Sequence, residues 1–362
     1  MSSIENIQVD HYRIPLPVVL SDSTHGDMTA FELVTVRIRD RDGAEGLGYT
    51  YTVGRGGSAI HALIRDDLGP LLTGADAGLV EENWRHMWWA SHYVGRGGLT
   101  VHAISAIDIA LWDLKARRAK MPLWRLLGGA DDKVKAYAGG IDLMFPLDQL
   151  LKQTEDNLAK GFRAIKMKVG RDNTAEDIER VGEMRKYLGD GFPLMVDANM
   201  RWGVDQAVRA ARKLREFDLV WLEEPTIPDD FAGHVRILQE GGVPLAAGEN
   251  LHSLHEFDHL ISGGGVTYPE PDVSNCGGIT VWMKVAALAA GRNLNVTSHG
   301  VHDLHVHLLA AVSNASYLEA HGFGLERFIA DPLIVTEGLA TAPDRHGHGV
   351  ELDWKGLEEL RA

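Results

Sequence analysis

The sequence predicts an α/β fold: a modified TIM-type (β/α) barrel with an N-terminal α+β capping domain. Three observations carry this. From Val134 onward, short apolar runs alternate with amphipathic stretches, and eight such runs are found. Strand–helix alternation with short connections implies a parallel sheet, and eight units imply its closure into a barrel. Three of the runs end on a carboxylate, Asp197, Glu223 and Glu249, at equal intervals of about one strand–helix unit. The N-terminal part instead reads as antiparallel strands followed by helices.

Taken in order, Ile7–Leu16, Phe31–Arg39 and Ala44–Tyr51 alternate as strands do, with Asp40–Gly43 as the turn before the third. Helical stretches follow at Ile60–Leu68 and Leu79–Ser91. A long helix is expected over Val101–Ala119, where Ile104, Ile107, Leu111 and Leu114 recur at helical spacing. Gly-rich loops at Gly54–Gly57 and Gly95–Gly98 interrupt this region. The barrel strands are expected at Val134–Gly139, Ala164–Val169, Leu194–Asp197, Leu219–Glu223, Leu245–Gly248, Val266–Pro269, Asn295–Ser298 and Ser316–Glu319. Asp177–Leu188 and Gln206–Phe217 are amphipathic helices between them. The expected division is residues 1–125 for the cap and 126–324 for the barrel, with 325–362 returning to the cap.

The 362 residues, 45% hydrophobic and 24% charged, are ordinary for a globular protein. A formal net charge of −15 argues against nucleic acid or an anionic membrane as partner. An acidic small molecule would need a local island of positive charge. Cys276 is the only cysteine, so no disulfide forms within the chain. The first residues lack the order of a signal peptide, and no run of about 18 apolar residues exists. The cytoplasm is the expected compartment, and a homo-oligomer the expected assembly.

The three acids are the strongest functional signal. One such acid alone reads as a helix cap or a solvated loop carboxylate. Three at the ends of consecutive strands converge on one mouth, and hard oxygen ligands so arranged suit Mg²⁺. Asn199 lies two residues beyond Asp197, placed for the metal shell, the substrate or a surface turn. In Ile165–Val169, alternation sends Lys166 and Lys168 to one face and Ile165, Met167 and Val169 to the other. Two lysines inside a barrel are costly without a function, and their repulsion is expected to lower the pKa of one, making a base. Asp272 and His299 are again about one unit apart. A carboxylate bonded to imidazole Nδ1–H fixes the tautomer and makes Nε2 an acid or base. His302, His305 and His307 are read as structural, on the next helix. Glu319 closes the last run, and a buried acid there is expected to stay protonated.

Together these residues resemble the enolase superfamily, in its mandelate racemase subgroup. The likeness runs through Ala103–Asp113, the lysines at 166 and 168, Asp197, Glu223-Glu-Pro225, Gly248-Glu-Asn250, the Asp272/His299 pair and Glu319. It implies that Asp197, Glu223 and Glu249 bind Mg²⁺, and that Lys168, tuned by Lys166, acts on one face of a sugar acid. His299, oriented by Asp272, would act on the other, with Glu319 on the substrate carboxylate. Ser21–Gly26, which contains His25, and the loop near Gly54–Gly57 would set specificity, with His25 and Asn199 as substrate contacts. One departure is Glu270, where relatives usually have Gln. Segments such as Ile14–Pro17, His92–Gly98 and Ser274–Thr280 narrow the resemblance to cycloisomerases that open anhydro sugar acids. Dehydration of an aldonate or aldarate, and racemisation or epimerisation of a 2-hydroxy acid, are the alternatives.

Overall fold

The computed structural model describes residues 2–321 and 324–362. Strands β1 (Ile4–Asp22), β2 (Gly26–Asp40) and β3 (Glu45–Thr52) form an antiparallel meander. The first two are longer than the alternation suggested and run into a projecting ribbon, with a register shift between Pro15 and Leu20. Five helices follow: α1 (Gly57–Leu63), α2 (Gly69–Leu72), α3 (Val80–Ser91), α4 (Leu99–Arg118) and α5 (Leu123–Leu126). A π-helical turn at Ile64–Leu68 joins the first two, so the helical stretch expected at Ile60–Leu68 is present and widens in its second half.

Helix α4 is apolar nearly all round because it lies between two layers. Ile104, Ile107, Leu111 and Leu114 pack against Val34, Val36 and Ile38 of the sheet. Ile109 faces the barrel side with Trp282 and Val285. Asp108 accepts hydrogen bonds from the Thr280 backbone N–H (2.9 Å) and hydroxyl (2.6 Å), tying the cap to the barrel. Sheet and helix meet closely at Gly46 and Gly48. A Cβ on Gly48 would overlap the Ala106 carbonyl oxygen. Gly48→Ala is therefore expected to destabilise the protein by about 2–3 kcal/mol, the usual cost of overpacking. A urea unfolding midpoint equal to wild type would refute this close approach.

The barrel strands are β4 (Lys133–Gly139), β5 (Ile165–Lys168), β6 (Leu194–Asp197), β7 (Leu222–Glu223), β8 (Leu245–Ala247) and β9 (Tyr268–Pro269), each parallel to the next. β10 (Tyr317–Ala320) pairs back onto β4. The expected strand Asn295–Ser298 is reduced to a single bridge, Val296 with Ala315. The seam there closes on separate bonds, Thr297 N–H to the Pro269 carbonyl (2.9 Å) and Ser316 N–H to the Val296 carbonyl (2.8 Å). Prolines at 269 and 271 remove donors on the β9 side, so no regular ladder builds.

Between the strands lie α6 (Leu147–Ala159), α7 (Thr174–Leu188), α8 (Val204–Leu214), α9 (Phe231–Gly241), α10 (Leu254–Ser262), α11 (Gly278–Gly291) and α12 (His302–Ala311). Asn173, Asp230 and Ser253 cap α7, α9 and α10 through side-chain oxygens that satisfy backbone N–H groups. After β10, the hairpin β11 (Val335–Thr336) and β12 (Leu339–Thr341) adds antiparallel to β4. Past α13 (Trp354–Glu358), Arg13 N–H bonds the Leu360 carbonyl at 2.9 Å, so the final residues lie on β1.

Inside the barrel, Tyr137, Ala164, Met195, Trp221 and Ala246 form an apolar layer, with Tyr268 and Tyr317 packed against it. This floor closes the barrel below the strand ends. The strand ends beyond it carry Lys168, Asp197 and Glu223.

Candidate active site

Strand register sets the site. Lys168 pairs with Asp197 across β5 and β6, and Asp197 with Glu223 across β6 and β7. Period-2 alternation buries Ile165, Met167 and Val169 under the helices and turns Lys166 and Lys168 into the barrel. Glu249 arrives differently, from the turn after β8. There Gly248 has φ +144°, and a Cβ would meet Phe257 and the Glu270 backbone. Only glycine takes this turn without strain.

One oxygen from each of Asp197, Glu223 and Glu249 lies within 4.8 Å of the others. Cationic side chains bracket them. Lys168 bonds Asp197, Lys166 bonds Glu223, and His299 Nε2 lies 3.2 Å from Glu249. Lys166 also pairs with Glu319 at 2.8 Å. Trp221, two residues before Glu223 and on the same strand face, donates its indole N–H to Glu223 at 2.9 Å. Asp142 accepts the Lys168 backbone N–H at 2.9 Å, and buried Arg180 donates to the Lys168 carbonyl at 3.0 Å.

The second unit is Asp272 with His299. Asp272 Oδ2 lies 3.1 Å from His299 Nδ1, and Oδ1 accepts Ser274 N–H at 2.7 Å. His305 accepts Val273 N–H through Nε2 and lies 2.8 Å from the Gly300 carbonyl through Nδ1. It buttresses the loop that carries the pair. Glu319 accepts Gly300 N–H at 2.8 Å.

The electrostatics correct two expectations. Burial would lower both lysines, but Glu223 and Glu319 around Lys166, and Asp197 beside Lys168, outweigh it and hold both above the ordinary lysine range. Repulsion between the lysines is the smaller effect. Glu319 is not held protonated: burial favours the acid, but Lys166, His299 and His321 overcome this and lower its pKa. Burial opposes the charge on His299 too, yet Glu249, Glu319 and Asp272 raise it well above the usual imidazole range. Glu223 carries the strain of the acid cluster. Burial and its carboxylate neighbours push it up to about 8 despite Lys166.

This is an excess of buried negative charge that two lysines and an imidazole do not quench. A divalent cation would. Six-coordinate Mg²⁺ with bonds of about 2.1 Å spaces its oxygen ligands about 3–4 Å apart, near the spread of the three acids. Asn199 is buried beside them. Its N–H bonds Asp197 at 2.8 Å, and its Oδ1 has no hydrogen-bond partner, a buried acceptor left for a ligand. The donor set and the charge deficit both fit Mg²⁺.

Two family models match the chain: the mandelate racemase/muconate lactonizing enzyme N-terminal domain over residues 4–128, and the enolase C-terminal domain-like model over 149–356. The chain belongs to the mandelate racemase/muconate lactonizing enzyme family. Within this family it is 58% identical to a 3,6-anhydro-alpha-L-galactonate cycloisomerase of Streptomyces coelicolor, over 99% of both chains. It is 38% identical to an L-talarate/galactarate dehydratase of Salmonella typhimurium, over 96% of this chain and 89% of that one. Among solved structures, a racemase from Streptomyces coelicolor with bound magnesium superposes with a TM-score of 0.97 at 57% identity, covering 99% and 100% of the two chains. These family members are enzymes, and so is this chain.

Of the residues expected from the sequence, the three acids, Lys166, Lys168, Asp272, His299 and Glu319 form one connected group. His25 stands apart, at the tip between β1 and β2, with Nδ1 2.9 Å from Asp22. The tip is pinned to the mouth by Thr24 and Ser23, whose hydroxyls bond the Asn199 and Ala198 carbonyls. The hydrogen bond to Asp22 raises the His25 pKa against the effect of burial. Glu270 points inward. Its carboxyl is fully buried, accepts Tyr137 O–H at 3.3 Å, and is pushed well up by burial and by Glu223.

Tyr51, Trp221, Asp142 and Glu224 also join the site, although the sequence assigned none of them a role. Glu224, fully buried with φ 37°, accepts Asn250 Nδ2 at 2.8 Å and backs the Glu249 turn. Its position next to Glu223 was the one available signal.

Proposed function

We propose that the chain catalyses ring-opening isomerisation of 3,6-anhydro-L-galactonate to 2-keto-3-deoxy-galactonate. The observation that carries this is the placement of Lys168 and His299 at the two ends of the acid triad, on Asp197 and on Glu249. A sugar acid on the triad would thus have a proton carrier toward each side. The 58% identity to a cycloisomerase supports the substrate.

Mg²⁺ held by Asp197, Glu223 and Glu249 supplies positive charge where the substrate carboxylate gains electron density as the α-proton leaves. Lys168 or His299 takes the proton from C2. The C2–H electrons form the C2–C3 double bond, and the C3–O bond of the ring breaks. A protonated side chain gives its proton to the departing ether oxygen, which becomes the C6 hydroxyl. The resulting enol takes a proton at C3 and ketonises, so the atoms of substrate and product balance. Asp272 keeps the proton of His299 on Nδ1 and leaves Nε2 to the substrate. Asn199 and His25 contact the hydroxyl-bearing end, and Glu319 the carboxylate. The apolar floor of Trp221 and Tyr137 keeps water from below.

The same opening step on an open-chain acid would expel a hydroxyl, and relatives 38% and 30% identical are acid-sugar dehydratases. Among the described residues no helix is long and apolar enough to cross a membrane. A cytoplasmic homo-oligomer belongs to this proposal, supported by the buried free Cys276 and by the exposed Trp89, Tyr93 and Val94.

Proton NMR in D₂O with Mg²⁺ tests the substrate. Conversion of the anhydro acid to a 2-keto-3-deoxy product is expected, with loss of turnover after EDTA and recovery with Mg²⁺. Turnover of open-chain acids alone would move the enzyme to the dehydratases, and α-deuterium exchange without elimination to the racemases. Unchanged activity after EDTA would overturn the metal assignment.

A further inference from the structure

We propose that Tyr51, a residue of the cap, positions the Asp272–His299 pair, so that a proton carrier of the barrel is completed by the N-terminal domain. This rests on the role of His299 above.

The geometry is a triangle. Tyr51 O–H donates to Asp272 Oδ2 at 3.0 Å, and its oxygen lies 3.4 Å from His299 Nδ1. His299 Nδ1 is itself 3.1 Å from that same Oδ2. The network assigns the proton of His299 to Nδ1, since Asp272 is an acceptor. The barrel supplies the donor on Asp272 Oδ1, through Ser274 N–H. The cap supplies the second donor on Oδ2. With both oxygens engaged, the carboxylate cannot swing, and the imidazole it holds keeps Nε2 toward Glu249.

Two further observations show a built contact. The residue after His299 is Gly300, with φ +60°, and a Cβ there would stand 2.7 Å from the Tyr51 hydroxyl. The loop thus leaves room for the phenol. Burial, Asp272 and Glu249 hold the Tyr51 hydroxyl well above its ordinary pKa, so it remains a donor across the working pH range. The neighbouring Thr50 donates its hydroxyl to the Ser274 carbonyl at 2.8 Å. Strand β3 is therefore seated on the Asp272 loop by one bond that touches the pair and one that does not.

This difference gives the test. Tyr51→Phe keeps the ring and removes one hydroxyl. It is expected to leave the unfolding midpoint and Mg²⁺ binding at wild-type values and to lower kcat by about tenfold or more, with KM held within about twofold. In a His299→Ala background it should add no further loss, because residues acting as one unit are not additive. Thr50→Val removes the other bond and should leave kcat within about twofold. The proposal is overturned if Tyr51→Phe keeps wild-type kcat, if it costs the same factor without His299, or if Thr50→Val costs as much. Should the phenylalanine variant not fold, 2,3-difluorotyrosine at position 51 retains the ring and alters only the donor. A changed kcat at constant KM then supports the proposal, and an unchanged kcat ends it. Each comparison uses whichever sugar acid the wild type converts. An error in the substrate therefore appears in the wild type, and an error about Tyr51 in the ratio of variant to wild type.

Discussion

Glu223→Gln is expected to lower kcat/KM by about 10³-fold or more and to abolish the response to Mg²⁺. A metal that stabilises developing charge contributes several kcal/mol, and about 4 kcal/mol corresponds to that factor. Glu223 is the central acid, between Asp197 in register on β6 and Glu249 beyond β8. The same substitution should have the opposite sign for stability when metal is absent. In the folded, metal-free protein Glu223 is pushed up to about 8 by burial and its carboxylate neighbours, against an ordinary value of 4.5. A carboxyl whose folded pKa is raised binds more protons folded than unfolded, so stability falls as pH rises from about 4.5 to 8. Glutamine does not titrate. In EDTA, wild type should lose stability to urea between pH 5 and pH 8 more steeply than Glu223→Gln, and Mg²⁺ should restore wild type alone. Equal Mg²⁺ responses in the two proteins would remove Glu223 from the metal site.

The cluster around Glu223 also shows what a linear chain reveals. Equal spacing exposed Asp197, Glu223 and Glu249, because each barrel unit takes a similar length of chain. Period-2 alternation exposed Lys166 and Lys168, because a strand leaves no other way to direct them. The protonation states were not legible. The expected lowering of a lysine considered only its lysine neighbour, whereas Asp197, Glu223 and Glu319 approach from three other strands. Glu319 was misread for the same reason, since Lys166 sits against it. Tyr51 was hidden further still. It lies far from Asp272 in sequence, on a strand whose alternation signals only a sheet, and its contact depends on how the cap docks. The strand expected at Asn295–Ser298 has suitable residues. It lacks a regular ladder because its neighbour carries prolines, a property of the pair rather than of the segment.

Lys168→Ala and His299→Ala should each lower product formation by about 10²–10⁴-fold, the usual contribution of a positioned acid or base, but they should differ in what remains. The two groups do different jobs in an elimination. One takes the α-proton, and the other delivers a proton to the leaving oxygen or to C3. Removing the abstracting group stops exchange of the α-hydrogen with D₂O. Removing the other leaves abstraction intact, so exchange persists while the ring stays closed. The configuration at C2 of the substrate decides which group faces the proton, and NMR of the two variants with one substrate reads this directly. On the His299 side the imidazole is held through Asp272, and its removal leaves the lysines in place but takes the Nε2 partner from Glu249. Lys168 is coupled to the triad in the same way, because Asp197 loses its partner with it. Lys168→Met, which keeps the volume, should therefore be compared with Lys168→Ala, and equal Mg²⁺ affinity in both would attribute the lost exchange to the missing base. Exchange at the wild-type rate in both the Lys168 and the His299 variants would exclude this pair as the source of the base and direct the search to His25.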